Sequence, residues 1–270
     1  MGAAAFLPRT GVSGGFWGMD MNERRKRIVE LVNQEGSVAF SQLKKTFSDV
    51  SDMTLRTDLK ALDQQRSIIR VHGGARSVGY AIGTDDLLAN RTSRSVEQKG
   101  EIARKAVDLI RPNTTIFIDS GSTTTALAAA LPDIRLLVFT NSLTVAVELA
   151  RLNQVVTYVI GGQLNRASMS ISGARATNNL GALAFDQLFL GVTAYERAGG
   201  FSCGLDDEAV FKAACMERAS ETIVLMDASK EGKRTTFPIC TLADVDRMVS
   251  DGGLSQELLD DCASAGVEVV

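Results

Sequence analysis

Ser51-Asp-Met-Thr-Leu-Arg-Thr-Asp-Leu-Lys-Ala-Leu62, followed by Ile68-Ile-Arg-Val-His-Gly-Gly-Ala-Arg76, is the stretch on which the fold turns. Its first part predicts a helix over about Asp52 to Gln65, with Leu55, Leu59 and Leu62 at i, i+4, i+7 on one apolar face. The opposite face carries Thr54, Arg56, Thr57 and Lys60. Hydroxyls reach phosphates or base edges, and an arginine grips guanine O6 and N7 with two hydrogen bonds. The second part is a short β-branched run that Gly73-Gly74 can turn, presenting Arg70, His72 and Arg76 to phosphates or a minor groove. A helix followed directly by a glycine-turned ribbon is the DNA-facing half of a winged helix-turn-helix. Contacts to DNA are therefore expected at Ser51, Thr54, Arg56, Thr57, Lys60, Arg70, His72, Gly73 and Gly74. A lone basic helix is more often a solvated face, and what separates the two readings is the ordered set of three short helices and a hairpin.

Upstream, Asn22 is an N-cap for a helix whose Ile28, Leu31 and Val32 form one apolar face and which Gly36 ends. Ser41 caps a second helix with Leu43 and Phe47 inward, and Asp49 and Ser51 bracket a turn into the third. Over residues 21–76 there are 11 Lys and Arg against 7 Asp and Glu, whereas the chain as a whole carries −3. A basic head on an acidic body fits one DNA-facing domain and one that avoids DNA. Residues 1–20 have neither the basic start nor the apolar core of a signal peptide and read as a disordered extension. No run of 18 apolar residues suggests a membrane span. Cys203, Cys215, Cys240 and Cys262 lack metal-ligand spacing and sit far from His72, the one histidine, so reduced thiols are expected, with no metal and no cofactor.

Residues 78–96 are polar and irregular and read as a linker between a head at 21–77 and a body at 97–270. The body opens on a helix from about Val96 to Ile110, then alternates near-continuous apolar strands with helices, the pattern of a parallel sheet covered on both faces. Polar runs follow the strands at Asp119–Thr124, Thr140–Ser142, Gly161-Gly162, Gly191–Thr193 and Asp227–Lys230. At the first, Gly121 lets the backbone turn and Ser122, Thr123 and Thr124 open a helix, an arrangement of free N–H groups and hydroxyls that suits a phosphate or carboxylate. The same residues could simply cap the helix. It is neither a Walker loop nor a dinucleotide fingerprint. Lys212 and Lys230 could add charge, although Glu208 and Lys212 also have the spacing of a surface pair.

From Arg24 to Ala75 the head resembles the DeoR-type bacterial transcriptional regulators. The body motifs Asp-Ser-Gly-Ser-Thr-Thr, Val-Phe-Thr-Asn-Ser, Val-Ile-Gly-Gly, Phe-Leu-Gly-Val and Asp-Ala-Ser-Lys stand in that family's order. This chain has Arg66-Ser67 where the family usually carries a glycine, Thr57-Asp58 in place of an Arg-Asp pair, and Lys212-Ala213 in place of Lys-Arg. The resemblance implies a winged helix-turn-helix followed by a Rossmann-like domain with a mostly parallel sheet, similar to ribose-phosphate isomerase and CoA transferase folds. It implies that Ser120, Gly121, Ser122, Thr123 and Thr124 hold a phosphate, with Asp119, Asn141, Gly162, Lys212, Asp227 and Lys230 lining the rest.

The function expected is a cytoplasmic DNA-binding regulator, a repressor of a carbohydrate-catabolic operon relieved by a phosphorylated sugar or a related metabolite. Its partners would be double-stranded operator DNA, that effector, and further copies of itself in a homodimer or homotetramer, with no membrane involved. The alternative is a sugar-phosphate isomerase with an accessory head, for which Asp119, Glu208 and Asp227 are the candidate general bases. Activation rather than repression stays open, because it depends on operator position.

Overall fold

The computed structural model describes residues 20–35, 37–71, 73–77 and 88–270. The extension before Asp20, the helix end at Gly36, the expected contact at His72 and most of the linker lie outside them. The chain divides after Arg76 into two compact units.

The first unit runs α1 (Met21–Glu35), β1 (Ser37–Ala39), α2 (Phe40–Thr46), α3 (Asp52–Gln64), β2 (Ile69–Val71) and β3 (Gly74–Arg76). Ile28, Val32, Leu43, Phe47, Leu55, Leu59, Leu62 and Ile68 close over one another as its core, so the apolar faces read from the spacing are the buried ones. The wing has three strands in the order β1-β3-β2, because Ser37–Ala39 adds a strand where sequence showed none. Two caps differ from expectation. Asp20, not Asn22, starts α1, its carboxylate accepting the Asn22 N–H at 3.3 Å and its carbonyl the Arg24 N–H at 2.8 Å. Ser41 lies inside α2, which begins directly off β1 with Ala39 at the cap position. Ser51 does cap α3, accepting the Thr54 N–H at 3.1 Å.

The end of α3 explains the departure at Arg66. The Arg66 N–H donates to the Asp63 carbonyl at 2.9 Å and the Ser67 N–H to the Leu62 carbonyl at 2.9 Å. That pair of bonds is a Schellman stop, and it places the residue after the C-cap in the left-handed region. Arg66 occupies it with φ of 56°. A Cβ makes this conformation costly, which is why glycine is favoured there. Across the head, Asp58 on α3 is buried and accepts from Arg24 Nε at 2.6 Å and Arg25 Nε at 2.8 Å, both on α1.

The second unit is built on a seven-stranded, all-parallel sheet. Its members are β4 (Thr115–Ile118), β5 (Leu136–Thr140), β6 (Val155–Val159), β9 (Gln187–Gly191), β12 (Thr222–Leu225), β14 (Arg247–Val249) and β15 (Glu268–Val269). Their order is β15-β14-β12-β9-β4-β5-β6. Alternation along β4 sends Ile116 and Ile118 to one face and Phe117 to the other. The first face is covered by α5 (Val96–Asp108), α6 (Ser122–Ala130) and α7 (Leu143–Leu149). The second is covered by α8 (Ala174–Leu180), α9 (Asp206–Met216) and α10 (Gln256–Ala265). Before α5, residues expected to be irregular form a further helix, α4 (Leu88–Ser93). Sequence also gave no sign of the hairpin β7 (Gln163–Asn165) and β8 (Ser170–Ser172), or of the small antiparallel sheet of β10 (Ala194–Glu196), β11 (Gly200–Cys203) and β13 (Phe237–Cys240). No helix among the described residues is long and apolar enough to cross a membrane.

The cysteines belong to this unit. Cys203, Cys215 and Cys262 are buried and Cys240 is partly so, and all four are free thiols. Burial pushes the Cys240 thiol up to about 12, Cys262 to about 11, and Cys215 well above its ordinary value.

Replacing Arg66 with glycine relieves the left-handed Cβ and should stabilise the head by about 0.5–1 kcal/mol in denaturant unfolding. Asp58→Ala leaves two half-buried guanidinium groups without their shared carboxylate and should cost the head about 2–4 kcal/mol. An unchanged midpoint for either variant contradicts the role given to that residue.

Candidate functional site

One surface of the head joins polar residues of α3 and the wing. Arg56, Thr57 and Lys60 are exposed on α3, and Arg70 is exposed on β2. Ser51 and Thr54 are tied together at the start of the helix, their hydroxyls 2.8 Å apart. Thr57 bonds back to the Met53 carbonyl at 2.8 Å, which leaves its methyl group as the outward feature. The Arg56 guanidinium lies over the Phe40 ring, 4.4 Å from its centroid. Arg56 is thus held against α2 by a cation–π contact, a placement that sequence spacing does not reveal. The wing is fastened to the same place by the Phe40 N–H, which donates to the Gly73 carbonyl at 2.7 Å.

The two wing glycines have different reasons. Gly73 turns the chain with φ of +81°. Gly74 is buried beside β1, where a Cβ would lie 2.2 Å from the Val38 carbonyl oxygen. Gly74 therefore serves strand pairing, and it also lines a groove shared with Arg56, Arg70 and Gly73.

In the body, strand order reverses between β4 and β9. The chain steps from β4 to β5 and β6 on one side and from β9 to β12, β14 and β15 on the other. Loops leaving the carboxyl ends of such a strand pair diverge and open a crevice, the usual ligand position in open α/β sheets. A pocket lies there, lined by Ser120–Thr124 after β4 and Gly191–Thr193 after β9. Gly121, with φ of 142°, precedes α6, so Ser122, Thr123 and Thr124 occupy that helix's first turn and the helix dipole points into the pocket. Thr124 and Thr125 hydroxyls both donate to the Gly121 carbonyl, at 3.0 and 2.7 Å, and fix the loop.

Lys212 reaches this floor from α9. Its ammonium donates to Asp119 Oδ2 and, at 2.9 Å, to the Gly191 carbonyl. The same Asp119 oxygen accepts the Gly191 N–H at 3.1 Å. Asp119 and Lys212 are both buried. Burial alone would lower the Lys212 pKa, but the Asp119 and Glu208 carboxylates more than offset it and hold the ammonium above its ordinary value. The surface pairing of Lys212 with Glu208 is therefore not what the fold uses. Glu208 instead accepts from the Ser168 and Ser170 hydroxyls, at 2.8 and 3.0 Å.

Of the expected ligand-binding residues, the pocket gathers Ser120, Gly121, Ser122, Thr123, Thr124, Lys212 and Lys230. Four others do not line it. Asp119 lies beneath as the partner of Lys212. Asn141 is buried and donates to the Ile171 carbonyl at 3.1 Å, holding β8. Asp227 caps the short turn Ala228–Lys230, accepting the Ser229 N–H at 3.1 Å. Gly162 packs on α8 and β8, where a Cβ would come within 2.9 Å of the Ala176 Cβ and 2.8 Å of Ile171 Cγ2. Their motifs are real, but three of the side chains shape the fold behind the pocket and Gly162 permits close packing. Sequence reasoning missed Arg91 and Ser168 as lining residues, and it named Glu208 only as a candidate general base of the enzyme alternative. Glu208 had a signal in its spacing to Lys212. Arg91 had none, because nothing local marks an arginine in a polar connector as inward-facing. No cluster of His, Cys, Asp and Glu suited to a metal ion occurs among the described residues.

Removing the Asp119 carboxylate should leave Lys212 charged, buried and unpaired, so Asp119→Ala is expected to destabilise the body by about 3–5 kcal/mol in thermal or urea unfolding. A loss below about 1 kcal/mol, the range of exposed pairs, would show the bridge to be dispensable.

Known proteins bear on both units. Residues 24–79 match the DeoR-like helix-turn-helix domain, and residues 94–252 match the DeoR C terminal sensor domain. The uncharacterized HTH-type transcriptional regulator YulB of Bacillus subtilis is 33% identical over 86% of this chain and 89% of its own length. The HTH-type transcriptional regulator GlpR of Haloferax volcanii is 32% identical over 92% and 96%. A putative aga operon transcriptional repressor of Escherichia coli is 32% identical over 92% and 93%. Among solved structures, ribose 5-phosphate isomerase A of Methanocaldococcus jannaschii is far more distant, at 18% identity, a TM-score of 0.38, and 52% and 56% of the two chains. With a sensor-domain match over more than half its length and full-length relatives above 30% identity, the chain belongs to the DeoR family of transcriptional regulators.

Proposed function

We propose that the protein is a repressor of a carbohydrate-catabolic operon whose body binds a phosphorylated sugar and thereby weakens the hold of the head on operator DNA. The observation that carries this reading is the pocket at the β4–β9 crossover. There a helix N-terminus, a row of hydroxyls and the Lys212 and Lys230 ammonium groups converge on one small volume. Such a volume suits a dianionic phosphate, because backbone N–H groups, the helix dipole and the lysine charges all act on it together. Ser168 and Glu208, which also line the pocket, supply acceptors for sugar hydroxyls.

Binding rather than turnover is the role these residues support. Of the three carboxylates that could act as a general base, Asp119 is engaged by Lys212 and Gly191, and Asp227 by its own turn. Glu208 alone lines the pocket, with two serine hydroxyls already directed at it. Pairing of heads on two half-sites needs self-association, and the exposed Val147, Val156 and Tyr158 on and beside the edge strand β6 support the body as its surface.

The test is fluorescence anisotropy of the full chain on duplex DNA from its own upstream region, at fixed salt, with and without a panel of phosphorylated sugars. Sequence-specific binding released by one member of the panel is the expected result. Arg56→Ala should weaken specific binding by about 1–3 kcal/mol, or roughly fivefold to more than a hundredfold, without altering the response of the body to the sugar phosphate. Unchanged operator affinity would remove α3 as the recognition helix. Turnover of a pentose or hexose phosphate would overturn the binding-only role.

A further inference from the structure

The pocket has a wall that comes from outside the sheet. Arg91 lies on α4, the first described element after the head in chain order, and lines the pocket together with Ser120–Thr124, Lys212 and Lys230. Three contacts fix this short helix on the body. The Leu88 N–H donates to the Ala167 carbonyl at 2.7 Å, one residue before Ser168 of the pocket wall. The Leu88 side chain is buried. At the other end, the Lys99 ammonium reaches back from α5 and donates to the Arg91 carbonyl at 2.5 Å and to that of Arg94. Lys99 is itself buried, at 6% exposure, and burial together with nearby Lys230 lowers its pKa to about 8. A lysine kept there against that cost is spent on helix-end carbonyls, which cations favour.

We infer that Arg91 is an effector-binding residue and Lys99 its positioning residue, so that α4 is the element through which an anionic ligand in the pocket is sensed by the rest of the chain. The inference rests on the phosphate-site reading above and deepens it. A guanidinium in the same pocket lining as the hydroxyl loop can match a phosphate with two parallel hydrogen bonds, which an ammonium cannot do. The loop, Lys212 and Lys230 belong to the sheet and its own connections, and they stay with the body whatever the head does. Arg91 alone sits on the segment that leads from the head. A ligand that draws Arg91 inward therefore favours one position of α4 over others. This differential affinity is the quantity a regulator needs if binding is to change its affinity for DNA.

The test uses the full chain and inorganic phosphate or ribose 5-phosphate as probes, with affinity read from thermal stabilisation and calorimetry. The variants are Arg91→Ala, Arg91→Lys, Lys99→Met, and the loop double variant Ser122→Ala with Thr123→Ala. Arg91→Ala should weaken probe binding at least tenfold, with Arg91→Lys recovering only part of the loss. Lys99→Met should weaken it about fivefold and speed amide exchange over residues 88–93 while leaving exchange in β4 unchanged. A lysine that mattered only to overall stability would instead raise exchange in both places. If the loop variant abolishes binding and Arg91→Ala leaves it intact, the phosphate site stands and the role of Arg91 is overturned. If neither probe binds the unaltered protein at millimolar concentration, the phosphate site itself fails and the inference falls with it.

Discussion

The bridge from Lys212 to Asp119 and Gly191 is the constraint on which the body is arranged. Two parallel strands that diverge at their carboxyl ends have no ladder bonds beyond the last pair, and their loops would be free to separate. One ammonium, delivered by a helix from the covered face, ties the end of β4 to the end of β9. Gly191 approaches so closely that a Cβ there would lie 3.0 Å from the Ser120 carbonyl oxygen. A buried pair of this kind is costly to desolvate and contributes little net stability, but it specifies one geometry, since half of it alone is strongly unfavourable. What it specifies here is the spacing between the hydroxyl loop and the strand opposite, which is the width of the pocket.

The head uses the same device at smaller scale. Asp58 gathers two consecutive arginines of α1 onto α3, and α3 in turn ends on a Schellman stop that hands the chain to the wing. These polar contacts tie α3 to α1 and end it at the start of the wing, while the apolar core below supplies the driving force. Arg56 resting on Phe40 and the wing fastened to the Phe40 N–H mean that one residue of α2 holds both α3 and the wing.

The large features were legible in the sequence for a physical reason. Parallel strands are buried on both faces and read as unbroken apolar runs, so six of the seven sheet strands stood out. The seventh, Glu268–Val269, is two residues long and leaves no periodicity. The first wing strand, the hairpin and the small antiparallel sheet, with strands of three or four residues, are invisible for the same reason. Within the site, the residues that were legible are those whose local sequence also makes a helix start. Lys212 was ambiguous because helical spacing to Glu208 says nothing of what lies across the sheet. Arg91 was hidden because its role depends on where Lys99 and Ala167 hold a six-residue helix, a tertiary fact. Asn141, Asp227 and Gly162 show the converse, motifs that sequence notices and that the fold spends on its own support.

The four thiols have a practical meaning. They lie at 203, 215, 240 and 262, all in the body and none in the head. Those at 215, 240 and 262 carry pKa values raised by burial, so their reactive thiolate is scarce at neutral pH while the body is closed. An alkylating reagent therefore meets them mainly when the body opens, and unfolding of the head leaves no covalent mark. One unmodified chain thus carries a domain-selective chemical clock, in which the rate of labelling records the opening of the sensor half alone.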